Sequence, residues 1–309
     1  MKTISVVTAC YNEEENVSEL YQQVKKVFEK LPGYSYEHIF IDNASKDRTV
    51  PILKEIAAKD KNVKIIVNTR NFGHIRSPFH GLLQASGDAV ISIVADLQDP
   101  PSMIPDLIRK WEEGYKIVIG VKKQSKESRL MFAIRKFFYD LLGTLSEIEQ
   151  VKNFTGFGLY DKQVIDILRN IDDPYPYFRG LISDIGFEVA QMDYVQPKRK
   201  KGRTKNNLYS LYDMAMLGIT NHSKIPLRLA TTLGFATSFV CVLIGLGYLI
   251  YKLIFWQRFS LGIAPLVIGF FFFASVQLFF IGILGEYIGS IHTQVLKRPL
   301  VIEKERINF

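Results

Sequence analysis

Two cysteines, two tryptophans and five histidines are all that 309 residues carry of those three side chains. Cys10 lies in a strand-like apolar run and Cys241 in a long apolar stretch, so no disulfide framework is expected. His38, His80, His222 and His292 show no ligand spacing, which argues against a zinc centre. Glycine-rich phosphate loops are missing too: the first strand runs into "CYNEEEN", with neither a dinucleotide fingerprint nor a P-loop. Charge is absent from Leu229 to Tyr251, between Arg228 and Lys252, and from Phe259 to Gly285, between Arg258 and Glu286. Core helices of soluble domains seldom run so far uncharged. At about 1.5 Å per residue each stretch crosses a hydrocarbon layer roughly 30 Å thick, so two transmembrane helices are expected.

The flanks of these stretches set an expected orientation. Lys198, Arg199, Lys200, Lys201, Arg203, Lys205, Lys224 and Arg228 precede the first, and Lys297, Arg298, Lys304 and Arg306 follow the second. The connecting loop around Trp256 to Gly262 carries a single Arg. By the positive-inside rule both ends face the cytoplasm, giving a multi-pass protein of the plasma (inner) membrane with its large N-terminal domain inside. "MKTISVV" enters a strand at once, so no cleaved signal peptide is expected. The surplus of 39 Lys+Arg over 31 Asp+Glu gathers beside the apolar stretches, pointing to anionic lipid or phosphate rather than nucleic acid.

Over the first 120 or so residues apolar runs alternate with amphipathic ones: "ISVVTA", "HIFID", "VKIIVN", "AVISIVA" and "KIVIG" are separated by helical patterns such as "EENVSELYQQVKKVFEKL" and "IPDLIRKWEEG". The alternation predicts an α/β fold with a mostly parallel, doubly wound, Rossmann-like sheet. In "ISIVADLQDPP", residues 91–101, a buried strand ends against two prolines and delivers Asp96, Gln98 and Asp99 to its C-terminal end. Ligands bind at that edge in open α/β sheets, and clustered oxygen donors suit Mg2+ or Mn2+.

"SVVTACYNEEEN", "IDNASKDRT", "RNFG" and "ADLQDPP", in this order, resemble the family 2 glycosyltransferases of GT-A fold. The continuation, with "FTGFGLYDKQVID", "RKKGRTK", "KIPLRL" and two spans ending in "GEYIG" and "KRPL", is similar to the polyprenyl-phosphate sugar transferases, which include bactoprenol glucosyltransferases and dolichol-phosphate mannose synthases. The resemblance implies inverting transfer of a hexose-type sugar from a nucleotide-sugar, most simply a UDP-sugar, to polyprenyl (undecaprenyl) phosphate. Carried over residue by residue, it places Tyr11, Glu13, Asp42, Asn43, Asn71 and Asp96 at the nucleotide-sugar. It places the metal on Asp96 and Gln98, and the lipid phosphate on Lys122, Arg129, Arg199 and Lys205, with Asp96, Gln98 and Arg199 catalytic. Relatives also suggest a homo-oligomer. His74 looks like part of the bactoprenol-type motif, and Asp42, Ser45, Asp47 and Thr49 also read as a plain turn and helix cap.

Asn43 stands where the family's "DDxS" turn usually has a second Asp, and three further positions depart from the family. Val94 replaces the first Asp of "DADLQ", and in "TGFGLYD" Gly156 and Gly158 stand where "GDFRL" has Asp and Arg. The expected organisation is a GT-A domain over 1–206, a juxtamembrane amphipathic region over 207–228, two spans within 229–289 and a cytoplasmic tail over 290–309. In the second region Leu208, Leu211, Tyr212, Ala215 and Ile219 recur at helical spacing, as on an interfacial helix. Two other readings remain. A processive polysaccharide synthase lacks support because neither Trp111 nor Trp256 follows an Arg. A catalytically inactive lipid-binding scaffold would fit the three departures but not the retention of Asp96, Gln98 and the basic run.

Overall fold

The computed structural model describes residues 1–122, 154–197, 216–220, 223–255 and 263–309. The chain opens with strand β1 (Lys2–Cys10), helix α1 (Val17–Phe28), β2 (Tyr34–Asp42), α2 (Thr49–Lys59), β3 (Val63–Asn68), α3 (Gly73–Leu83) and β4 (Ala89–Val94). After a 3-10 turn at Pro101–Met103 come α4 (Ile104–Glu112), β5 (Ile117–Lys122), β6 (Phe154–Asp161), α5 (Lys162–Arg169), α6 (Phe178–Asp184) and β7 (Val189–Tyr194). Two long helices, α7 (Ile225–Ile254) and α8 (Ile263–Leu296), precede a last strand, β8 (Glu303–Ile307).

The sheet has eight strands in the order β7-β5-β6-β4-β1-β2-β3-β8. β1 pairs in parallel with β2 and β4, β2 with β3, and β5 with β7, whereas β6 and β8 run antiparallel to their neighbours. The expected mostly parallel sheet is therefore present, with one antiparallel strand inserted in it and one added at its edge. Helices cover both faces. On one, Val17, Leu20 and Val24 of α1 pack with Leu53 of α2 and with Ile104, Leu107 and Trp111 of α4. On the other, Phe79 and Leu82 of α3 pack with Val164 and Leu168 of α5 and Ile182 of α6. Strands buried on both faces need near-continuous apolar runs, which is why β2 and β4 read that way in the sequence. Trp111 belongs to this core: its indole donates to Asp161 at 2.7 Å.

The register carries the C-terminal ends of three strands to one edge, where Cys10 pairs with Asp42 and Ala9 with Val94. The loops that follow these strands thus border one crevice. Along β4 the inward residues alternate between the two faces until Val94, which is 44% exposed at that edge.

α7 and α8 are each long and apolar enough to cross a membrane, and neither span is covered by the rest of the protein. They are longer than the uncharged stretches, α8 reaching Leu296. The tail after it is more than an appendage. β8 joins β3, Lys54 pairs with Glu305 at 2.7 Å, and His80 lies 2.6 Å from Glu303. The Asn308 amide donates to the carbonyls of Ala57 and Val63 at 2.9 and 2.8 Å. Nearer the apolar helices, Tyr287 donates to the Ser223 carbonyl at 2.7 Å and Gln294 to Asp173 at 2.8 Å. The chain thus enters α7 from the domain and, after α8, rejoins the same sheet.

Candidate functional site

Two loops at the sheet edge are stitched together by side chains. Asn12, held at φ 54°, accepts from the Lys46 amide at 2.8 Å while its own amide donates to the Ser45 hydroxyl at 2.8 Å. The Glu13 amide donates to Thr49 at 2.9 Å, and the Glu13 carboxylate accepts from Asn16 at 2.6 Å. Tyr11 and Glu13 are half-buried at this seam. Asp42 is buried, its carboxylate accepting from the Ser45 amide at 2.9 Å and from the Ser45 hydroxyl. Burial pushes this carboxyl up, and the contacts with Ser45 work against the shift. Asp42 thus anchors the turn. Asp47 holds the turn ahead of α2, accepting from the Thr49 amide at 3.0 Å, as the plain turn reading expects, but the N-cap position itself is Arg48 and has no side-chain cap hydrogen bond.

Asn43 is also turned inward. Its amide nitrogen donates to Asn71 at 2.9 Å and to the Gly73 carbonyl at 3.0 Å; its oxygen accepts from the Phe72 amide at 2.8 Å and from Asn68 at 3.3 Å. An aspartate offers only acceptors and could not reproduce the first pair. The asparagine at this departure from "DDxS" is therefore tied to the 68–73 loop. Asn71, exposed, accepts from Asn43 and from the Gly73 amide at 2.8 Å.

Beyond Val94 the chain makes a tight turn in which the Gln98 amide donates to Asp96 at 3.1 Å and Leu97, buried, takes φ 60°. Asp96 and Gln98 stay half-buried, whereas Asp99 is 2% exposed. Asp99 accepts from the Tyr194 hydroxyl at 2.9 Å and from the Val94 amide at 3.3 Å. Burial pushes the Asp99 carboxyl up to about 6, against the opposing effects of Tyr194, the Val94 amide and the nearby Lys122 charge. Three acidic or amide positions that look equivalent in "ADLQD" are thus sorted into an accessible pair and a buried brace. Lys122, at the end of β5, is near enough for its charge to act on Asp99. Arg129, Arg199 and Lys205 lie outside the described residues, as do Leu208, Leu211, Tyr212 and Ala215 of the amphipathic region.

Among the described residues no group of three or more His, Cys, Asp and Glu is placed to hold an ion. What the turn offers is one carboxylate and one amide oxygen, both accessible. That donor set suits Mg2+ or Mn2+, which take few protein oxygens and complete their shell with water and substrate phosphates. It does not suit a metal that needs an all-protein cage.

A cavity of about 180 Å³ opens beside Val94. α3 supplies its apolar wall through Ile75, Pro78 and Phe79, while Asp99, Thr155 and Arg179 give it polar groups. Gly156 also lines it, at φ 99°, a conformation that an aspartate would hold only under strain. Gly158 is more restrictive: a Cβ there would sit 2.4 Å from the Val118 carbonyl oxygen. The family's Arg does not fit this backbone. Both glycines are therefore built into β6 and its approach rather than being bare deletions of side chains. Arg179 was not singled out by the sequence, and Asp99, grouped there with Asp96 and Gln98 as an oxygen donor at the ligand edge, is instead buried and bonded to Tyr194. Asp99 stood among other acids, and nothing near Arg179 signals that α6 turns it toward the crevice.

The sequence matches Glycosyl transferase family 2 over residues 5–167 and the GtrB C-terminal hairpin over residues 225–291. It is 36% identical to the SfII prophage-derived bactoprenol glucosyl transferase of Shigella flexneri, covering 98% of this chain and 97% of the relative. It is 34% identical to the prophage bactoprenol glucosyl transferase homolog of Escherichia coli K12, covering 97% and 98%. An uncharacterized glycosyltransferase, YkcC of Bacillus subtilis, is 36% identical over 96% of this chain and 92% of its own. Among solved structures, glucosyl-3-phosphoglycerate synthase from Mycobacterium tuberculosis, determined with Mn2+, UDP and phosphoglyceric acid, superposes with a TM-score of 0.50 at 20% identity, over 71% of this chain and 76% of that one. This last likeness concerns the fold.

Proposed function

The chain belongs to glycosyl transferase family 2 and is a glycosyltransferase, and from that premise we propose that it transfers a hexose-type sugar from a nucleotide-sugar to polyprenyl phosphate at the cytoplasmic face of the plasma membrane. One observation carries the proposal: the sheet edge holding Asp96 and Gln98 belongs to the same body as two membrane-length helices, because β8 brings the chain back from α8 into the sheet. A donor site on that body lies within reach of a phosphate whose tail stays in the bilayer. The full-length similarity to bactoprenol glucosyl transferases supports the same acceptor class.

Tyr11, Glu13 and the turn built by Asp42 form the edge on which a nucleoside would rest, since carboxylates accept from base N–H groups and ribose hydroxyls. Asn43 and Asn71 hold the neighbouring loop in place. Asp96 and Gln98 would hold Mg2+ or Mn2+, which when bound neutralises the donor diphosphate and stabilises it as a leaving group. Lys122 adds a fixed positive charge to that turn, with Arg129, Arg199 and Lys205 as further partners for the phosphates of donor and lipid. A phosphate monoester, with its second pKa of about 6, is largely dianionic near neutrality and needs no general base. The residues then have to position and desolvate the nucleophile, which is compatible with glycine at 156.

The test is a panel of UDP- and GDP-sugars offered with undecaprenyl phosphate, the lipid product being followed by mass. One sugar-lipid product that needs a divalent cation is expected. Asp96→Asn and Gln98→Ala should each lower turnover by about 100-fold or more with the fold retained. Full activity of Asp96→Asn in chelator would remove the site assignment, and absence of lipid product with every donor would remove the acceptor.

A further inference from the structure

The cavity beside Val94 contains a cation that neither the motifs nor the donor site uses. Arg179, on α6, is half-buried there. It sits close enough to the buried Tyr160 ring for its charge to act on that phenol, as does the charge of Asp99. The Tyr160 hydroxyl donates to the Gly156 carbonyl at 2.9 Å, and Gly156 and Arg179 line the same cavity.

The surroundings decide what this cation is suited to hold. Asp99, the carboxylate nearest to hand, is committed to Tyr194 and to the Val94 amide, and Tyr194 shares its hydroxyl with Thr155. The walls contributed by Pro78, Phe79 and Phe178 are apolar. A guanidinium in such a place is weakly screened, and its planar fork matches a phosphate in a bidentate manner. Val94 lines this cavity two residues before Asp96, and neither Asp96 nor Gln98 lines it, so an anion on Arg179 would neighbour the donor site without sharing its ligands.

We propose that Arg179 is the anchor of the acceptor phosphate, holding it in the cavity beside Val94. The assignment rests on the acceptor reading given above. In the step it serves, a phosphate oxygen gives an electron pair to the anomeric carbon while the bond from that carbon to the nucleoside diphosphate breaks and its pair leaves with the diphosphate. No proton is transferred. Arg179 fixes the direction of attack by holding the two oxygens that do not react.

The experiment uses the full chain in detergent, with farnesyl phosphate, farnesol and UDP plus Mn2+ as separate binding probes. The wild type should prefer farnesyl phosphate to farnesol. Arg179→Gln should reduce that preference tenfold or more and leave UDP affinity within twofold. Arg179→Lys, which keeps charge and bulk and guards against a folding defect, should lose at least threefold at farnesyl phosphate alone. A tenfold loss of UDP affinity with unchanged phosphate preference would move Arg179 to the donor and overturn the proposal, as would unchanged binding of all three probes. A wild type that does not distinguish farnesyl phosphate from farnesol would refute the acceptor reading itself.

Discussion

Replacing Asn43 by the aspartate common in its family is the sharpest perturbation of the donor edge. Asn43 is 6% exposed and makes four side-chain contacts, two as donor and two as acceptor. Asn43→Asp keeps the acceptor pair but turns an oxygen toward the Gly73 carbonyl and toward Asn71. If the Asn71 amide rotates to donate to the new carboxylate, the Gly73 amide loses the acceptor it now has at 2.8 Å. Either arrangement leaves at least one polar group in this loop without its partner and brings two acceptors together. Two lost hydrogen bonds at about 1 kcal/mol each, plus one poorly solvated acceptor, give a loss of about 2–4 kcal/mol. For a domain of this size that corresponds to roughly 5–10 °C in the melting temperature. Thermal unfolding of the detergent-solubilised chain and titration with UDP plus Mn2+ are the assays, and both stability and UDP affinity should fall. In a cycle with Asn71→Ala, Asn43→Ala should show a coupling of about 1 kcal/mol, because each removes the other's partner. An Asn43→Asp variant with unchanged melting temperature and UDP affinity would refute the reasoning that the asparagine is required by this loop.

Gly158→Ala should destabilise the domain by about 2 kcal/mol or more, since the added methyl meets a β5 carbonyl inside the sheet; a melting temperature equal to wild type would show that β6 shifts freely. His38, buried with its ring 3.0 Å from the Thr8 hydroxyl, has its pKa lowered to about 3 by burial. The unfolded chain therefore takes up this proton first, so the contribution is full above about pH 6.5 and is lost as pH falls toward 3, at a slope of up to about 1.4 kcal/mol per pH unit. Unfolding of wild type and His38→Gln between pH 7 and 5 should show that slope only in the former. For topology, a reporter inserted between residues 255 and 263 should lie across the membrane from one fused at the C-terminus, which β8 ties to the catalytic sheet. Protease protection of both reporters on one side would contradict two spans.

Much of this was determined by the sequence alone, for a physical reason. Strands buried on both faces require continuous apolar runs, so β1 to β4 are visible in "ISVVTA", "HIFID", "VKIIVN" and "AVISIVA". Helices that cross lipid must be long and uncharged, which marks α7 and α8 by composition. The two prolines after "ADLQD" fix where β4 stops and hence where Asp96 and Gln98 stand. What only the tertiary structure decided are pairings between residues distant in the chain. β6 enters antiparallel between β4 and β5, and β8 crosses back from the end of α8 to β3, neither of which leaves a local periodicity. The same holds for individual side chains. Asp96 and Asp99 differ by three positions in sequence, but Tyr194, 95 residues away from Asp99, makes one of them a buried brace and leaves the other accessible. Arg179 becomes a cavity residue only because α6 packs beside β6 and α3, and Gly158 is obligatory only because β5 lies against it. Local pattern follows from each residue's own preference for water or core, whereas burial and charge environment are properties of contacts that exist only once the chain has closed on itself.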